Sequence, residues 1–366
     1  MSYKVVSLFS GAGGMDIGFL KAGFDIIWAN DFDKSSVQSY NHNIIDHAIH
    51  GDIATISSKE IPECEGVIGG PPCQGFSVAG KMDPNDPRSQ LIWEFHRVVK
   101  DKKPLFFVME NVKSLAENKR FTDVKDKFLN KMKRLGYKTA VKVLNSKDHD
   151  VPQARERAIF IGIKKDLNID PETCFPEVLD HKITVREALL SMPPVGEKGN
   201  DGICKAKIVP AKNPIMRKSP YAGMLFNGQG RPLDLDEPAK TMTASMGGNK
   251  TPFVDTHFLH GKTDHCWVKK YHESIVETGK VITEAPKHLR RITVQEAAKL
   301  QTFPENYDFQ GSQCSQYRQI GNAVPVNLAR EIGISIKAEL DKAINLNHLS
   351  VNSKAASSSL VDYNLQ

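Results

Sequence analysis

The first half of the chain alternates short apolar runs with segments of helical spacing, and this alternation limits the possible folds more than any other feature. Strands are predicted from the apolar runs YKVVSLF, DIIWAN, GVIGG, PLFFVME, KTAVKVLNS and RAIFIGI, and helices from most of the segments between them. Strands that alternate with helices form a mainly parallel sheet with helices on both faces. The predicted fold class is therefore α/β with a doubly wound sheet, whose ligands should bind at the carboxyl ends of the strands.

This alternation stops near residue 178, where Gly, Pro, Asn and Thr become frequent. Such a composition predicts a second domain that is dominated by loops and short strands. Helical spacing returns in TVQEAAKLQTF and in PVNLAREIGISIKAELDKAI, near the end of the chain. The polar, Ser-rich tail over 346–366 is predicted to be disordered.

Composition gives only a weak indication of the partners of the protein. The chain has 366 residues, a formal net charge of +6 and a pI near 8.8, which is a mild preference for polyanions. Its six cysteines show neither a CxxC pair nor the spacing of a zinc site, so we expect reduced thiols and no bound metal. Because there is no N-terminal leader and no long apolar run, a soluble cytoplasmic protein is predicted.

A glycine-rich turn, LFSGAGG, follows the first predicted strand and places Gly11, Gly13 and Gly14 before a helix. Glycine lets a ligand approach the backbone, and the helix N-terminus offers free N–H groups. Asp31 ends the second strand, where an acid commonly binds ribose hydroxyls. The turn fits a dinucleotide fold, an S-adenosylmethionine fold or an ordinary tight turn. Asp52, further along, could bind an adenine amino group or simply cap a helix.

Reactive side chains follow three other predicted strands on the same edge of the sheet. Cys73 stands in GGPPCQGFSV after a strand, and a thiolate there could act as a nucleophile. Glu110 ends the strand PLFFVME, where a buried carboxyl could donate a proton. Arg155 and Arg157 would share one face of an extended segment and could lower a thiol pKa or hold a phosphate. Each alone also fits an ordinary role, but their convergence on one crevice predicts an active site.

Six motifs occur together and in order, namely LFSGAGG, PPCQGFS, MENV, QARERAIFIG, RRITVQEAAKLQTFP and YRQIGNAVPVNLA. Their order and spacing resemble those of the DNA (cytosine-5)-methyltransferases of prokaryotic restriction-modification systems. The resemblance covers most of residues 1–165 and 289–335. It implies the S-adenosylmethionine-dependent methyltransferase fold, with S-adenosylmethionine as cofactor and double-stranded DNA as partner. The implied reaction is methyl transfer to C5 of a flipped cytosine within a specific duplex sequence.

The resemblance also implies roles for individual residues. Cys73 matches the nucleophile, Glu110 the carboxyl that contacts the cytosine ring nitrogen, and Arg157 the guanidinium near the flipped base. Arg155, from the same motif as Arg157, is grouped with these catalytic residues. The positions that match the surroundings of S-adenosylmethionine are Phe9, Gly11, Gly13, Asp31, Phe32, Asp52, Ile53, Leu91, Asn322 and Val324.

DNA contacts are expected from two regions. Gln74 and Ser77 lie in a segment, from 74 to about 90, that matches a loop closing over the substrate, and Arg88 and Arg155 match residues near DNA phosphates. The region over 180–285 corresponds to the variable target-recognition domain, whose polar side chains can bind base edges in the major groove. The candidates, each of which also fits a plain turn or loop, are Arg231, Thr241 and Asn249, with Thr243, Ser245 and Lys250 nearby.

The motif GNAVPV, at 321–326, is expected to return to the glycine turn and complete the cofactor pocket. The catalytic and cofactor-binding domain would then comprise residues 1–178 and 317–345, with a smaller, loop-rich target-recognition domain inserted over 179–316. A cleft between the two would be wide enough for a duplex. By analogy with compact methylases, we expect a monomer whose functional counterpart is a cognate restriction endonuclease, without a stable complex.

Three other functions fit part of these patterns. An RNA (cytosine-5)-methyltransferase has a similar architecture, although the long middle region favours DNA. An NAD(P)-dependent oxidoreductase would use the glycine turn and Asp31, but the turn lacks GxGxxG spacing and the motifs PPCQ, ENV and GNAVPV stay unexplained. A non-catalytic DNA-binding regulator would not need Cys73 and Glu110.

Overall fold

The computed structural model describes residues 2–72, 90–227 and 230–361, with side-chain surroundings as far as residue 345. Its central feature is a seven-stranded sheet formed by the first half of the chain. In chain order the elements of this half are β1 (Lys4–Leu8), α1 (Gly14–Lys21), β2 (Asp25–Asp31), α2 (Lys34–Asn43), β3 (Ala48–His50), β4 (Gly66–Gly69), α3 (Leu91–Lys102), β5 (Phe106–Val112), α4 (Lys113–Glu117), α5 (Thr122–Arg134), β6 (Tyr137–Asn145), β7 (Gln153–Ala154) and β8 (Glu156–Lys164).

The strand order is β3-β2-β1-β4-β5-β8-β6, and the pairs among β1 to β5 are all parallel. Strand β8 runs antiparallel between β5 and β6. These observations confirm the predicted α/β class with a mainly parallel sheet. Chain order reverses between β1 and β4, so the carboxyl ends of these two strands form the switch point where ligands bind in such sheets.

The second half of the chain consists of shorter elements joined by loops, as its composition predicts. They are α6 (Val185–Leu190), β9 (Pro210–Ile215), β10 (Met224–Phe226), β11 (Ala239–Lys240), β12 (Phe253–Asp255), α7 (Thr256–Leu259), α8 (Trp267–Thr278), β13 (Leu289–Arg291), α9 (Val294–Leu300), α10 (Gln313–Asn322) and α11 (Val326–Val361). Strands β9 and β10 pair antiparallel, as do β12 and β13, while β11 lies parallel to β7 of the first half. The domain boundaries expected at 178 and 316 stay a prediction.

Helices cover both faces of the sheet. On one face α3 and α5 bury aromatic rings, and Phe107 of β5 packs edge to face against Phe128 of α5 with ring centres 6.2 Å apart. On the other face α1 and α11 pack so closely that a Cβ on Gly18 would lie 2.5 Å from Cβ of Ala329. Leu340 and the other apolar side chains of α11 that face the core are fully buried, each contributing about 2 kcal/mol.

The last helix is longer than the sequence predicts. Helix α11 continues to Val361 and so extends into the segment from 346 that is predicted to be disordered. A helix that tertiary packing has already nucleated can be extended at little cost, which the polar composition of the tail does not reveal. Residues 362–366 lie outside the described part. Within the described residues, every helix is either too short or too polar to span a lipid bilayer.

Candidate active site

The turn between β1 and α1 has the backbone conformation that its glycines predict. Phe9 and Gly11 have φ of 55°, and Gly13, at 77°, immediately precedes α1. A side chain at Gly13 would be strained by this positive φ and would also have to displace Cδ1 of Ile44, 2.2 Å from the position of a Cβ, so glycine is favoured there. The N–H of Gly11 donates to Oδ2 of Asp31 at 2.8 Å, which ties the turn to the end of β2.

Asp31 and Phe32, at the end of β2, place a carboxylate beside an exposed aromatic ring. Asp31 accepts a second bond, at Oδ1, from the N–H of Asp33 at 2.7 Å. Burial raises the pKa of Asp31 above its ordinary value, and the two N–H donors oppose that shift. Phe32 is 74% exposed, which is unusual for a large apolar ring. An acid beside a free ring can bind a ribose and stack on a purine.

Three further residues of the predicted cofactor site have different surroundings. Asp52 is exposed after β3 and caps the short 3₁₀ turn Ile53–Thr55 by accepting from the N–H of Ala54 at 3.0 Å. Ile53 is 2% exposed, so its side chain is part of the core. Leu91 is half-buried at the first position of α3. Asp52 therefore caps a helical turn, which is one of the two roles that its sequence position allows.

The loop after α10 returns to the glycine turn. The carbonyl oxygen of Val324 lies only 2.4 Å from the position that a Cβ on Gly14 would take. Asn322 is exposed at the end of α10, whereas Val324 is buried. The hydroxyl of Tyr307 supports the same region by donating to the carbonyl of Ala12 at 2.6 Å. The structure thus brings residues from both ends of the chain to the switch point.

A buried acid and a guanidinium lie side by side where β5 and β8 meet. Nε of Arg157 is 2.8 Å from Oε1 of Glu110, and the two side chains are 15% and 11% exposed. Because β8 is antiparallel to β5, its first residues meet the last residues of β5, with Arg157 opposite Val112. Both residues therefore reach the edge of the sheet that carries the glycine turn.

The chain just before residue 73 is held against this pair. A Cβ on Gly70 would lie 3.0 Å from Oε2 of Glu110, so glycine keeps space beside that oxygen. Asn111, which sequence reasoning missed although it stands in the MENV motif, donates from Nδ2 to the carbonyl of Pro71 at 3.1 Å. Four predicted site residues, Cys73, Gln74, Ser77 and Arg88, lie outside the described residues.

Arg155 is enclosed, unlike Arg157, and is bonded to backbone carbonyls. It is 2% exposed, and its guanidinium donates to the carbonyls of Met242 at 2.9 Å, Gly321 at 3.0 Å and Asn322 at 3.4 Å. These bonds give the guanidinium a structural role between the middle region and the end of α10. The expected catalytic and phosphate-binding role of Arg155 stays a prediction. The spacing of two fails to place it on the same face as Arg157 because β7 ends just before Arg155 and β8 begins just after it.

An open cleft of about 770 Å³ extends from Arg157 along α4 to the middle region of the chain. Thr241 lines its far wall and donates from Oγ1 to the carbonyl of Ala154 at 2.9 Å. Arg231 and Asn249 are exposed on two loops. The N–H of Gly230 joins these loops by donating to the carbonyl of Asn249 at 3.2 Å. The other recognition candidates, Thr243, Ser245 and Lys250, are exposed as well.

A doubly wound sheet with a glycine turn at its switch point, and an acid–guanidinium pair on the same edge, defines a ligand-binding α/β enzyme fold. The family model of the C-5 cytosine-specific DNA methylases matches residues 3–338, and the chain belongs to that family. It is therefore a DNA (cytosine-5)-methyltransferase, as the resemblance of its motifs implies.

Two relatives and one solved structure illustrate this similarity. The Type II methyltransferase M.MthTI of Methanothermobacter thermautotrophicus is 34% identical over 359 residues, covering 94% of this chain and 100% of the relative. The Type II methyltransferase M.FnuDI of Fusobacterium nucleatum is 34% identical, covering 92% of this chain and 95% of the relative. The crystal structure of a DNA modification methyltransferase encoded within an E. coli prophage has a TM-score of 0.66 at 24% identity, covering 93% of this chain and 100% of that one. This last likeness shows a shared fold.

Proposed function

We propose that this DNA (cytosine-5)-methyltransferase takes its methyl group from S-adenosylmethionine and acts on a cytosine turned out of a duplex. The observation that carries the proposal is the Glu110–Arg157 pair, 2.8 Å apart at the switch-point edge. A carboxyl and a guanidinium side by side are complementary to N3 and O2 of cytosine. Since that edge of the base is used for pairing in a duplex, the base must be extruded, at a cost of a few kcal/mol.

The residues around the glycine turn fit S-adenosylmethionine. A Cβ on Gly11 would meet nothing within 4 Å, so the turn opens on free space. The carboxylate of Asp31 would accept from ribose hydroxyls, the exposed ring of Phe32 would stack on the adenine, and Asp52 would accept from its amino group. When bound, the cofactor supplies an electrophilic methyl group on a sulfonium. The other proposed members of the site are Phe9, Gly13, Ile53 through its backbone, Leu91, Asn322 and Val324.

The proposed chemistry activates cytosine C5, which is a weak nucleophile because the ring is aromatic and electron-poor. Addition of the Cys73 thiolate to C6 would break the aromaticity and make C5 enamine-like, which splits one hard step into easier ones. Glu110, with a proton taken up at Oε2 from solvent, would donate a hydrogen bond to N3. Arg157 would polarise O2, so both residues would stabilise the negative charge that develops on the ring. After C5 is methylated, its proton would pass to solvent and the C6–Sγ bond would break, which releases the Cys73 thiolate and restores the aromatic ring.

The ion pair prepares Glu110 for this role. Oε1 is paired with Arg157, while Oε2 lies beside the space that glycine keeps open at position 70. Arg157 also donates from Nη1 to the carbonyl of Glu156 at 2.7 Å, so the guanidinium is held from two sides. Groups that are fixed before the base arrives need little reorganisation during the reaction, which is how such groups lower a barrier.

The exposed loops across the cleft support a sequence-specific role. Arg231, Thr241 and Asn249 would contact the duplex from these loops. Because the relatives are Type II methyltransferases, we infer a function in a restriction-modification system, as a cytoplasmic monomer whose cognate endonuclease shares the target without a stable complex. Bisulfite sequencing of DNA from cells that express the chain would identify the target sequence and the modified cytosine.

Methyl transfer from tritiated S-adenosylmethionine tests the proposed chemistry. Cys73→Ser should abolish incorporation into duplex DNA while leaving the affinity for the cofactor nearly intact, because the nucleophile is distinct from the residues that would hold the cofactor. Cys314→Ser, which replaces an exposed cysteine, is the matched control and should keep its activity. Normal turnover by Cys73→Ser, or label that enters RNA rather than DNA, would contradict the proposal.

A further inference from the structure

Arg155 is enclosed at a point where three parts of the chain meet. It follows β7, and its guanidinium donates to the carbonyl of Met242 in the middle region and to those of Gly321 and Asn322 at the end of α10. Met242 adjoins Thr241 on the wall of the cleft, and Asn322 leads into the segment that closes on the glycine turn. One buried guanidinium therefore bonds both the DNA-facing wall and the cofactor-side segment.

Two further contacts fix the same segments to one another. Gln153, in the strand that precedes Arg155, accepts at Oε1 from the N–H of Met242 at 3.0 Å. A Cβ on Gly321 would lie 2.3 Å from the carbonyl oxygen of Thr243, so the two backbones are in direct contact. A displacement of either segment consequently changes the bonds of the other.

We propose that Arg155 is a positioning residue that couples DNA binding at the cleft wall to S-adenosylmethionine binding at the switch point. This inference rests on the proposed function, because both ligands must bind where that function places them. DNA that orders residues 241–245 would also order the carbonyls that Arg155 holds at 321 and 322, so the cofactor meets a segment that is already fixed. Arginine suits this role because its planar fork reaches carbonyls in several directions, which a lysine ammonium does not.

Calorimetric binding of S-adenosylhomocysteine measures this coupling. The dissociation constant is determined with and without a duplex that carries the target sequence found by bisulfite sequencing. For the wild type, we expect the duplex to tighten binding roughly tenfold. In Arg155→Lys the ratio of the two constants should fall to about one, because the wall and the segment no longer share a donor.

Arg291→Lys is the matched control for loss of a buried guanidinium. Arg291 is 3% exposed and also donates to three backbone carbonyls, those of Ala206, Lys207 and Thr251, all within the middle region. Its replacement should destabilise the protein comparably, but it leaves the bonds at 321–322 intact. The ratio should therefore stay near that of the wild type, which separates coupling from general stability.

Gln153→Met provides an independent measurement that keeps Arg155 in place, and it decides the question if Arg155→Lys does not fold. It should lower the ratio roughly threefold, since one bond to the wall is lost. The coupling role would be overturned if the ratio of the dissociation constants were unchanged in both Arg155→Lys and Gln153→Met, or if Arg291→Lys lowered it equally. It would also be overturned if the wild type methylated DNA but gave a ratio of one. A wild type that transfers no methyl group would instead overturn the proposed function and this inference with it.

Discussion

Asp16 is a buried acid in the first turn of α1, and its ionisation should make the stability of the protein depend on pH. Its side chain is 0% exposed, and Oδ1 accepts from the hydroxyl of Ser7 at 2.8 Å. Burial raises the pKa of Asp16 from 3.8 to about 6, although the hydroxyls of Ser7 and Tyr40 act in the opposite direction. We predict that Asp16→Asn, which keeps the shape of the side chain, removes this pH dependence.

The sign of the effect follows from proton linkage. As the pH rises from 3.8 to about 6, the unfolded chain releases the Asp16 proton while the folded chain keeps it, so the free energy of unfolding falls. The contribution of neutral Asp16 to the free energy of unfolding is complete below pH 3.8 and is lost as the pH rises through about 6. A difference of about 2 pKa units corresponds to about 3 kcal/mol, of which about 2 kcal/mol lies between about pH 4.5 and pH 8.

Urea unfolding of the wild type and Asp16→Asn at these two pH values measures the effect. Between the lower and the higher pH, the variant should gain about 2 kcal/mol relative to the wild type. A difference between Asp16→Asn and the wild type that does not change with pH would refute the reasoning.

Three further substitutions test the candidate active site. Gly14→Ala would place a methyl group 2.4 Å from a backbone carbonyl, so the affinity for S-adenosylmethionine in calorimetry should fall roughly tenfold, and an unchanged affinity would contradict the contact. Glu110→Gln keeps the volume but removes the charge paired with Arg157, so single-turnover methyl transfer should slow by roughly 10²-fold, whereas a rate close to that of the wild type would exclude the proposed role. Thr241→Val removes the hydroxyl that donates to the carbonyl of Ala154 at the end of β7. The affinity for duplex DNA, measured by filter binding, should fall roughly fivefold, while the affinity for the cofactor is kept. Equal losses of both affinities would argue against a local effect at the cleft wall.

The strands of the large sheet are predictable because strands covered on both faces appear as unbroken apolar runs. PLFFVME corresponds to β5, and RAIFIGI lies within β8. The middle region is harder to predict since short elements surrounded by Gly and Pro carry little periodicity. Helix α8 is missed there, although Val268, Tyr271 and Ile275 have helical spacing and are the side chains it buries.

The site residues differ in predictability for a related reason. Gly13, Asp31 and Glu110 can be identified from the sequence because each stands at the carboxyl end of an element that local pattern defines. The burial of Arg155 cannot be foreseen in this way, since its carbonyl partners lie 87 and 166 residues further along the chain. Local spacing alone makes Arg155 resemble Arg157, and only the long-range packing distinguishes a positioning residue from a residue of the cleft.

The closure of α1 by the last part of the chain has a consequence for biosynthesis. Helix α1 leaves the ribosome long before the backbone around Val324 that packs on Gly14, and at ordinary translation rates the interval is roughly 15–60 s. Throughout that interval α1 lacks the segment around Val324 and helix α11, which buries Phe19. A newly made molecule would thus begin to modify DNA only after translation is nearly complete, and truncation anywhere before residue 321 would leave a chain without activity.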